Sequence, residues 1–293
     1  MAVDRPKLSV VVASHNARIS IEECLTSLQA QRDESAEILV VDNSTDGTTD
    51  ILREQFPHIQ LIPRSPSQLI PELWGAGIRQ STGDIVAITT AHFIPETNWV
   101  AQILEAHQDS SPAIGGAIEN NVSAGIVDWA LYFCRYSKYM LPFRRGFVSE
   151  IAGDNASYKR LAIDQCEHAW HDGFWEQAVH RELRKRGAQL LIDPSIIIYH
   201  KRSFGFREFM KQRYRHGRQF GGWRLRNLTG LTRMIHIGLS PMIPFVLLYR
   251  ILREVLVKHR HYKQLLLSLP ILSLFLLAWT MGELTGYVLS AER

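Results

Sequence analysis

The chain has little cysteine, and what it has is scattered: Cys24, Cys134 and Cys166, with no C-x-x-C pair. That pattern argues against a disulfide framework and against a zinc site, and it fits a reducing compartment. Internal repeats and low-complexity tracts are absent, so repeat arrays are not expected. The opening residues, MAVDRPKLSV, lack an apolar run ahead of a cleavage site, and no signal peptide is expected from them. Acidic residues are scarce in one stretch. Between Lys201 and Arg226 the basic residues Lys201, Arg202, Arg207, Lys211, Arg213, Arg215, Arg218, Arg224 and Arg226 are opposed only by Glu208. Such an imbalance calls for an anionic partner: phosphate, acidic lipid or nucleic acid.

What is present is ample apolar material. With 293 residues, 46% of them hydrophobic, and a net charge of +4, the chain can bury one large domain and carry an appendage. Two β-branched apolar runs stand near the N-terminus, LSVVVASHN at 8–16 and EILVVDNSTDGT at 37–48. Each stops abruptly at polar residues. Read as strands buried on both faces, they place those residues at the carboxyl ends of adjacent parallel strands, where open α/β sheets bind ligands. The carboxylate of Asp42 can accept hydrogen bonds from a base and a ribose there; a turn aspartate capping its own loop is the alternative.

Strand and helix signals alternate to about residue 120, which predicts an α/β fold with a mostly parallel sheet. A helix is expected to open at Ser20, with Glu23 as its capping-box partner and Ile21, Cys24, Leu25 and Leu28 as its apolar face, and others over 48–55, 72–80 and 98–107. Strands are expected at 59–62, 85–89 and 113–119, with Gly115 and Gly116 allowing a close backbone approach. A helix over 174–186 ends at Gly187, and 190–192 and 196–200 read as two short strands. Residues 129–147, aromatic and basic, fit no single pattern.

The order of motifs resembles the inverting family 2 glycosyltransferases of GT-A fold, over roughly residues 7–220. The resemblance rests on LSVVVASHNARISIEECLTSLQAQ with EILVVDNSTDGTTDIL, on STGDIVAITTAHFIPETNW, on GDNASYKR with GFWEQAVHRELRKRG, and on Ile197-Ile198-Tyr199-His200. It implies a nucleotide-sugar donor held by Ala13, His15, Asn16, Asp42 and Ser44, with the leaving diphosphate near Thr90 and His92. It also implies Glu176 as the general base that takes the acceptor's proton, with Asp172 as the other candidate. By itself, Glu176 is an ordinary first-turn glutamate whose ionised form the helix dipole favours. Asp154, Asn155 and Trp175 are expected on the sugar and acceptor side, although Asn155 would equally serve as a helix N-cap.

The chain departs from the family where D-x-D should stand: spacing from Pro95 puts Thr90 and His92 at its two aspartates. A divalent cation, Mn²⁺ or Mg²⁺, would then have His92 and His200 as its ligands, a set better suited to Mn²⁺. The alternative is that Arg213, Arg215 or Arg218 clamps the phosphates.

From about Leu231 the chain turns apolar. The segment 231–249 carries Arg233, His236, Pro241 and Pro244, whereas 265–289 carries only Glu283 as a charge and is long enough to span a bilayer. The aromatic and basic run 203–223 is of a kind that also binds nucleic acid, but it leads straight into apolar segments. We therefore expect an interfacial helix on an acidic membrane surface and no nucleic-acid partner. The expected organisation is a catalytic domain over 1–200, an interface region over 201–230 and membrane-associated helices over 231–293. The expected location is the cytoplasmic membrane with the catalytic domain on the cytoplasmic side. The positive-inside tendency then favours a re-entrant or interfacial first segment and a spanning second one. The expected activity is a hexosyltransferase-type transfer to a lipid-linked or membrane-proximal acceptor, the alternative being a protein of the same fold that binds nucleotide without transfer. Homo-oligomerisation is left open.

Overall fold

The computed structural model describes residues 6–31, 36–121, 123–201, 205–225 and 230–289; Arg202 and Arg226 of the basic run lie outside the described residues. By contact the chain divides into two compact units, one of residues 1–119 and 141–202 and the other of 120–140 and 203–293.

The first unit is built on a nine-stranded sheet. Its parallel half contains β1 (Leu8–Ser14), β2 (Ala36–Asp42), β3 (Gln60–Pro63) and β4 (Ile85–Thr90), in the spatial order β3-β2-β1-β4. β1 is buried along its whole length, as its unbroken β-branched run requires of a strand covered on both faces. The remaining strands are β5 (Phe93–Pro95), β6 (Ala113–Asn120), β7 (Gly146–Val148), β8 (Ala156–Lys159) and β9 (Leu190–His200). β8 lies antiparallel to β4 and β6, and β9 lies antiparallel to β5 and β7. The fold is the expected α/β one, with a mixed sheet whose N-terminal half is parallel.

Helices α1 (Ile21–Ala30), α2 (Thr48–Gln55), α3 (Ile70–Gln80), α4 (Trp99–Ala106), α6 (Arg160–Asp164) and α7 (Glu176–Lys185) belong to this unit; α5 (Ile126–Tyr136) belongs to the other. α3 can approach the sheet closely because a Cβ at Gly77 would collide with Val11 and come within 2.9 Å of Val41. Gly115 and Gly116 are required in the same way: side chains there would run into Ile151 and into the carbonyl of Ile196.

Three expectations need correcting. Residues 190–200 form one strand, because Asp193 accepts the N–H of Ser195 at 2.9 Å and carries the chain across Pro194 without ending it. Ser20 makes no side-chain cap on α1; its hydroxyl reaches Ala17 O and His92. The unassigned stretch holds α5, a short 3₁₀ turn at Ser137–Tyr139 and β7.

The second unit is helical: α5, α8 (Phe206–Leu225), α9 (Gly230–Leu239), α10 (Ile243–Lys258) and α11 (Tyr262–Leu289). Residues 120–140, placed in the catalytic domain by their position in the chain, pack here instead. α8 and α11 meet backbone to backbone. Cβ atoms at Gly217 and Gly221 would collide with Trp279 O and Glu283 O, and at Gly282 and Gly286 with Tyr214 O and Arg218 O. Two small-x-x-x-small stripes thus face each other, the device that lets membrane helices pack closely. The one charge inside the apolar run of α11, Glu283, is 2% exposed and accepts from Trp279 Nε1 at 2.9 Å, from Tyr287 and from Arg224 at 3.4 Å. Lys258 is also withdrawn from solvent, donating to Ser137 O at 2.9 Å and Lys138 O at 2.7 Å. Among the described residues two runs are long and apolar enough to cross a membrane: Arg233–Lys258, 26 residues with mean hydropathy 1.6, and Tyr262–Leu289, 28 residues with mean hydropathy 2.0.

Candidate active site

The register of the parallel strands assembles the first half of the site. Ser14 lies opposite Asp42, and Ala13 lies opposite Thr90. The ends of β2, β1 and β4 therefore stand side by side, and two strand spacings separate Asp42 from Thr90, roughly 10 Å.

The loops leaving β1 and β2 are laced together. Asn16 takes the left-handed conformation at φ 50°, which asparagine tolerates better than most residues. Its N–H donates to Ser44 Oγ at 2.8 Å, and its Oδ1 accepts from Thr45 N at 2.9 Å. Ala17 N donates to Thr48 Oγ1 at 3.0 Å, and Arg18 N donates to Asp46 Oδ2 at 3.2 Å. Burial alone would raise the pKa of Asp46, but hydrogen bonds from Thr48 and Arg18 pull it below the usual carboxylate range. Asp42 is 3% exposed; one oxygen accepts from Ser44 Oγ and the other from Thr49 Oγ1, each at 2.6 Å. His15 Nδ1 lies 2.8 Å from Asn43 Oδ1, and the Asn43 amide donates to Ser65 O and Gln68 O. Asn43, in sequence only one polar residue of the loop after Asp42, is the hub that holds His15 against the 65–68 loop.

Beyond β4 the chain turns through Ala91 and His92, and Ala91 N donates to Ala13 O at 3.0 Å, so this turn hugs the end of β1. His92 is 9% exposed with Nδ1 3.3 Å from Ser20 Oγ. His200 sits at the end of β9 opposite Phe93, 2% exposed, with its ring 5.3 Å from the Phe93 ring. The two imidazoles are near in the fold, since Lys201 N donates to His92 O, but each ring packs against a different element. Among the described residues no group of three His, Cys, Asp or Glu side chains is placed to hold a metal ion.

The second half is the 3₁₀ turn Gly153–Asn155 with the start of α7. Glu176 is the first residue of α7, half-buried, with Trp175 beside it 45% exposed. A Cβ on Gly153 would lie 3.3 Å from the Glu176 carboxyl carbon and 3.1 Å from the Trp74 ring. Trp74 in turn donates its indole N–H to Thr89 O at 2.7 Å. One indole thus links the end of β4 to the Gly153 turn, against which the Glu176 carboxyl group lies. Trp74 was also missed: in sequence it is one more apolar residue on α3. The loop before α7 docks on the start of α3, where Phe174 N donates to Pro71 O at 2.7 Å and Arg79 reaches His171 O. Asp172, the other candidate base, is paired with His171 at the surface.

Asp154 is half-buried in the 3₁₀ turn. Asn155 needs reassigning. It is 1% exposed, its Oδ1 accepts from Trp99 Nε1 and its Nδ2 donates to Ala117 O and Ile196 O, so it holds strands together and presents nothing to a sugar. Arg213 belongs to the helical unit, where its guanidinium lies 4.3 Å from the Trp279 ring centroid, whereas Arg215 is exposed on α8.

The model of the family described as glycosyl transferase family 2 matches residues 9–166, more than half of the chain. The chain belongs to that family. As a family 2 glycosyltransferase it is 25% identical over 234 residues to a Methanococcus voltae protein, dolichyl N-acetyl-alpha-D-glucosaminyl phosphate 3-beta-D-2,3-diacetamido-2,3-dideoxy-beta-D-glucuronosyltransferase. That match covers 72% of this chain and 71% of the relative. Among solved structures it is similar to the mannosyltransferase PcManGT from Pyrobaculum calidifontis, in complex with GDP-Man and Mn²⁺. The TM-score is 0.59 at 19% identity, over 96% of this chain and 88% of that one. It is also similar to residues 1–349 of S. aureus TarS, with TM-score 0.50 and 15% identity over 77% and 68%. At these identities the likeness shows the fold, which for this family 2 chain is GT-A.

Proposed function

We propose that this chain transfers a sugar, with inversion, from a nucleoside-diphosphate donor to a lipid-linked acceptor at a membrane face. The observation that carries the reading is the juxtaposition of the β2, β1 and β4 ends with the Gly153 turn and Glu176. Asp42, behind Ser44 and Thr49, is positioned for the nucleoside, with Ala13, His15 and Asn16 beside it. Thr90 and His92 mark the diphosphate end. In the reaction the acceptor oxygen attacks the anomeric carbon, the bond from that carbon to the diphosphate breaks, and Glu176 takes the acceptor's proton. Trp175 and Asp154 are placed to orient the sugars. The lipid-linked acceptor is supported by the Methanococcus voltae relative and by the two apolar helices; we place the catalytic unit on the cytoplasmic side.

The donor set at Thr90 and His92 does not fit a cation held by protein carboxylates. Thr90 offers a hydroxyl, His92 is turned to Ser20, and His200 is packed on Phe93. The Pyrobaculum calidifontis structure contains Mn²⁺. The misfit at Thr90 and His92 favours a second reading, in which the fold binds a nucleotide sugar and scaffolds a glycan pathway without transfer.

Thermal unfolding of the purified chain against a panel of nucleotide sugars, with and without Mn²⁺ or Mg²⁺, names the donor. Incubation of that donor with polyprenyl-phosphate-linked sugars then reads transfer. Stabilisation with transfer is the expected result. Stabilisation without transfer to any acceptor moves the protein to the second reading, and no stabilisation by any nucleotide sugar removes both.

A further inference from the structure

Between α5 and the first turns of α11 lies a cavity of about 220 Å³ lined by Ala124, Ile126, Trp129, Lys263, Gln264 and Leu267. Three of its lining side chains, Lys263, Gln264 and Trp129, can donate hydrogen bonds. Lys263 and Gln264 make no ion pair or hydrogen bond among the described residues. Trp129 is 5% exposed and likewise gives its indole N–H to no partner, its ring lying 4.7 Å from that of His261. An ammonium and an indole N–H can only donate. Both line the cavity, Lys263 from its exposed side, at the start of a 28-residue helix, whose first N–H groups have no intrahelical acceptor and whose dipole is positive at that end. Among the described residues no carboxylate lines the cavity. The chemistry selects an anion.

Size and surroundings narrow the anion. The volume falls below the roughly 300–1,000 Å³ of pockets for drug-sized ligands, so it suits a phosphate group rather than a nucleotide sugar. The flank is apolar and open: Leu266 is 69%, Leu267 53% and Ile126 49% exposed. α11 is also one of the two runs able to cross a bilayer, and an indole with a lysine at the mouth of such a helix stands at headgroup level.

We propose that this cavity binds the phosphate of a membrane lipid, with Lys263, Gln264, Trp129 and the start of α11 as donors and the exposed leucines against its hydrocarbon. The proposal rests on the helical unit alone and needs no part of the transfer reaction, so its failure is separable from failure of the reading above. The full chain in dodecyl maltoside micelles is titrated with dodecyl phosphate and its thermal midpoint followed. A saturable rise is expected. Lys263→Gln should raise the half-saturating concentration about tenfold, the order of one charge-assisted hydrogen bond. Lys263→Arg should restore it, and Lys138→Gln, a change at an exposed lysine of the same unit, should leave it unaltered. Inorganic phosphate at equal concentration should do nothing. An unaltered response in Lys263→Gln, or an equal response to inorganic phosphate, overturns the proposal.

Discussion

At the scale of single residues the candidate site makes sharp demands. General-base catalysis contributes about 10²–10⁴-fold, so Glu176→Gln should lower kcat by that factor, about 3–5 kcal/mol of barrier, while donor KM changes little. Steady-state kinetics with the donor found by thermal shift decide it, and near-normal turnover would remove Glu176 from its role. A second demand concerns His107, 6% exposed, whose Nε2 lies 2.9 Å from Ser157 Oγ. Ser157 donates to Ile114 O, so Nε2 of the ring carries a proton and donates to Ser157 Oγ. Burial, with the charge of Lys159, pushes its pKa from 6.5 down to about 4. The unfolded chain then binds the extra proton first. Stability is complete above pH 6.5 and falls as the pH drops toward 4, by on the order of 3 kcal/mol. Urea titrations at pH 7 and pH 5 should show the loss, and His107→Gln should flatten it; an equal slope in both proteins would refute the assignment. Asp42 and its neighbours were legible in the sequence because two β-branched runs end at them. Trp74 and Ser20 were not, because their partners, Gly153 and His92, are supplied by distant parts of the chain.

At the scale of elements the contact between α8 and α11 is the most exacting. Because a Cβ at Gly282 would strike Tyr214 O, Gly282→Leu must force the helices apart. Overpacking of this kind costs about 1–3 kcal/mol. The variant should melt earlier in detergent than the parent, whereas Leu274→Ala, at a residue 43% exposed, should change stability by less than about 0.5 kcal/mol. Equal melting of the glycine variant would show that the two helices do not need this approach. Regular elements with one polar face, such as α2, were readable to the residue. α5 was not, because Trp129 to Phe133 and Tyr136 are all buried and leave little of the polar stripe that marks an amphipathic helix. The single strand β9 read as two because Asp193-Pro194-Ser195 has the composition of a turn.

At the scale of the whole molecule the question is how the apolar helices meet a bilayer. The run Arg233–Lys258 would be about 39 Å long as a continuous helix, enough for the hydrocarbon core, but the 3₁₀ turn at Ser240–Met242, which carries Pro241, breaks it. We expect α11 alone to span, leaving the basic connector on the cytoplasmic side. Lys258 is a poor reporter because its ammonium is buried. A cysteine at Arg260 in a cysteine-free background should react with an impermeant maleimide added from the cytoplasmic side. Labelling only from the opposite side would put both helices across. Composition showed that an apolar tail exists; it could not show that residues 120–140 pack with it, since that grouping follows from contacts distant in sequence.

The lacing of the two loops after β1 and β2 has a thermodynamic corollary. Asn16, Ala17 and Arg18 are tied to Ser44, Thr45, Asp46 and Thr48 within the protein itself. The proposed nucleoside site is therefore preorganised, and the entropy of ordering it belongs to folding rather than to ligand capture. Loosening a single tie, as in Thr48→Val, should weaken nucleotide affinity without removing any atom that touches the nucleotide.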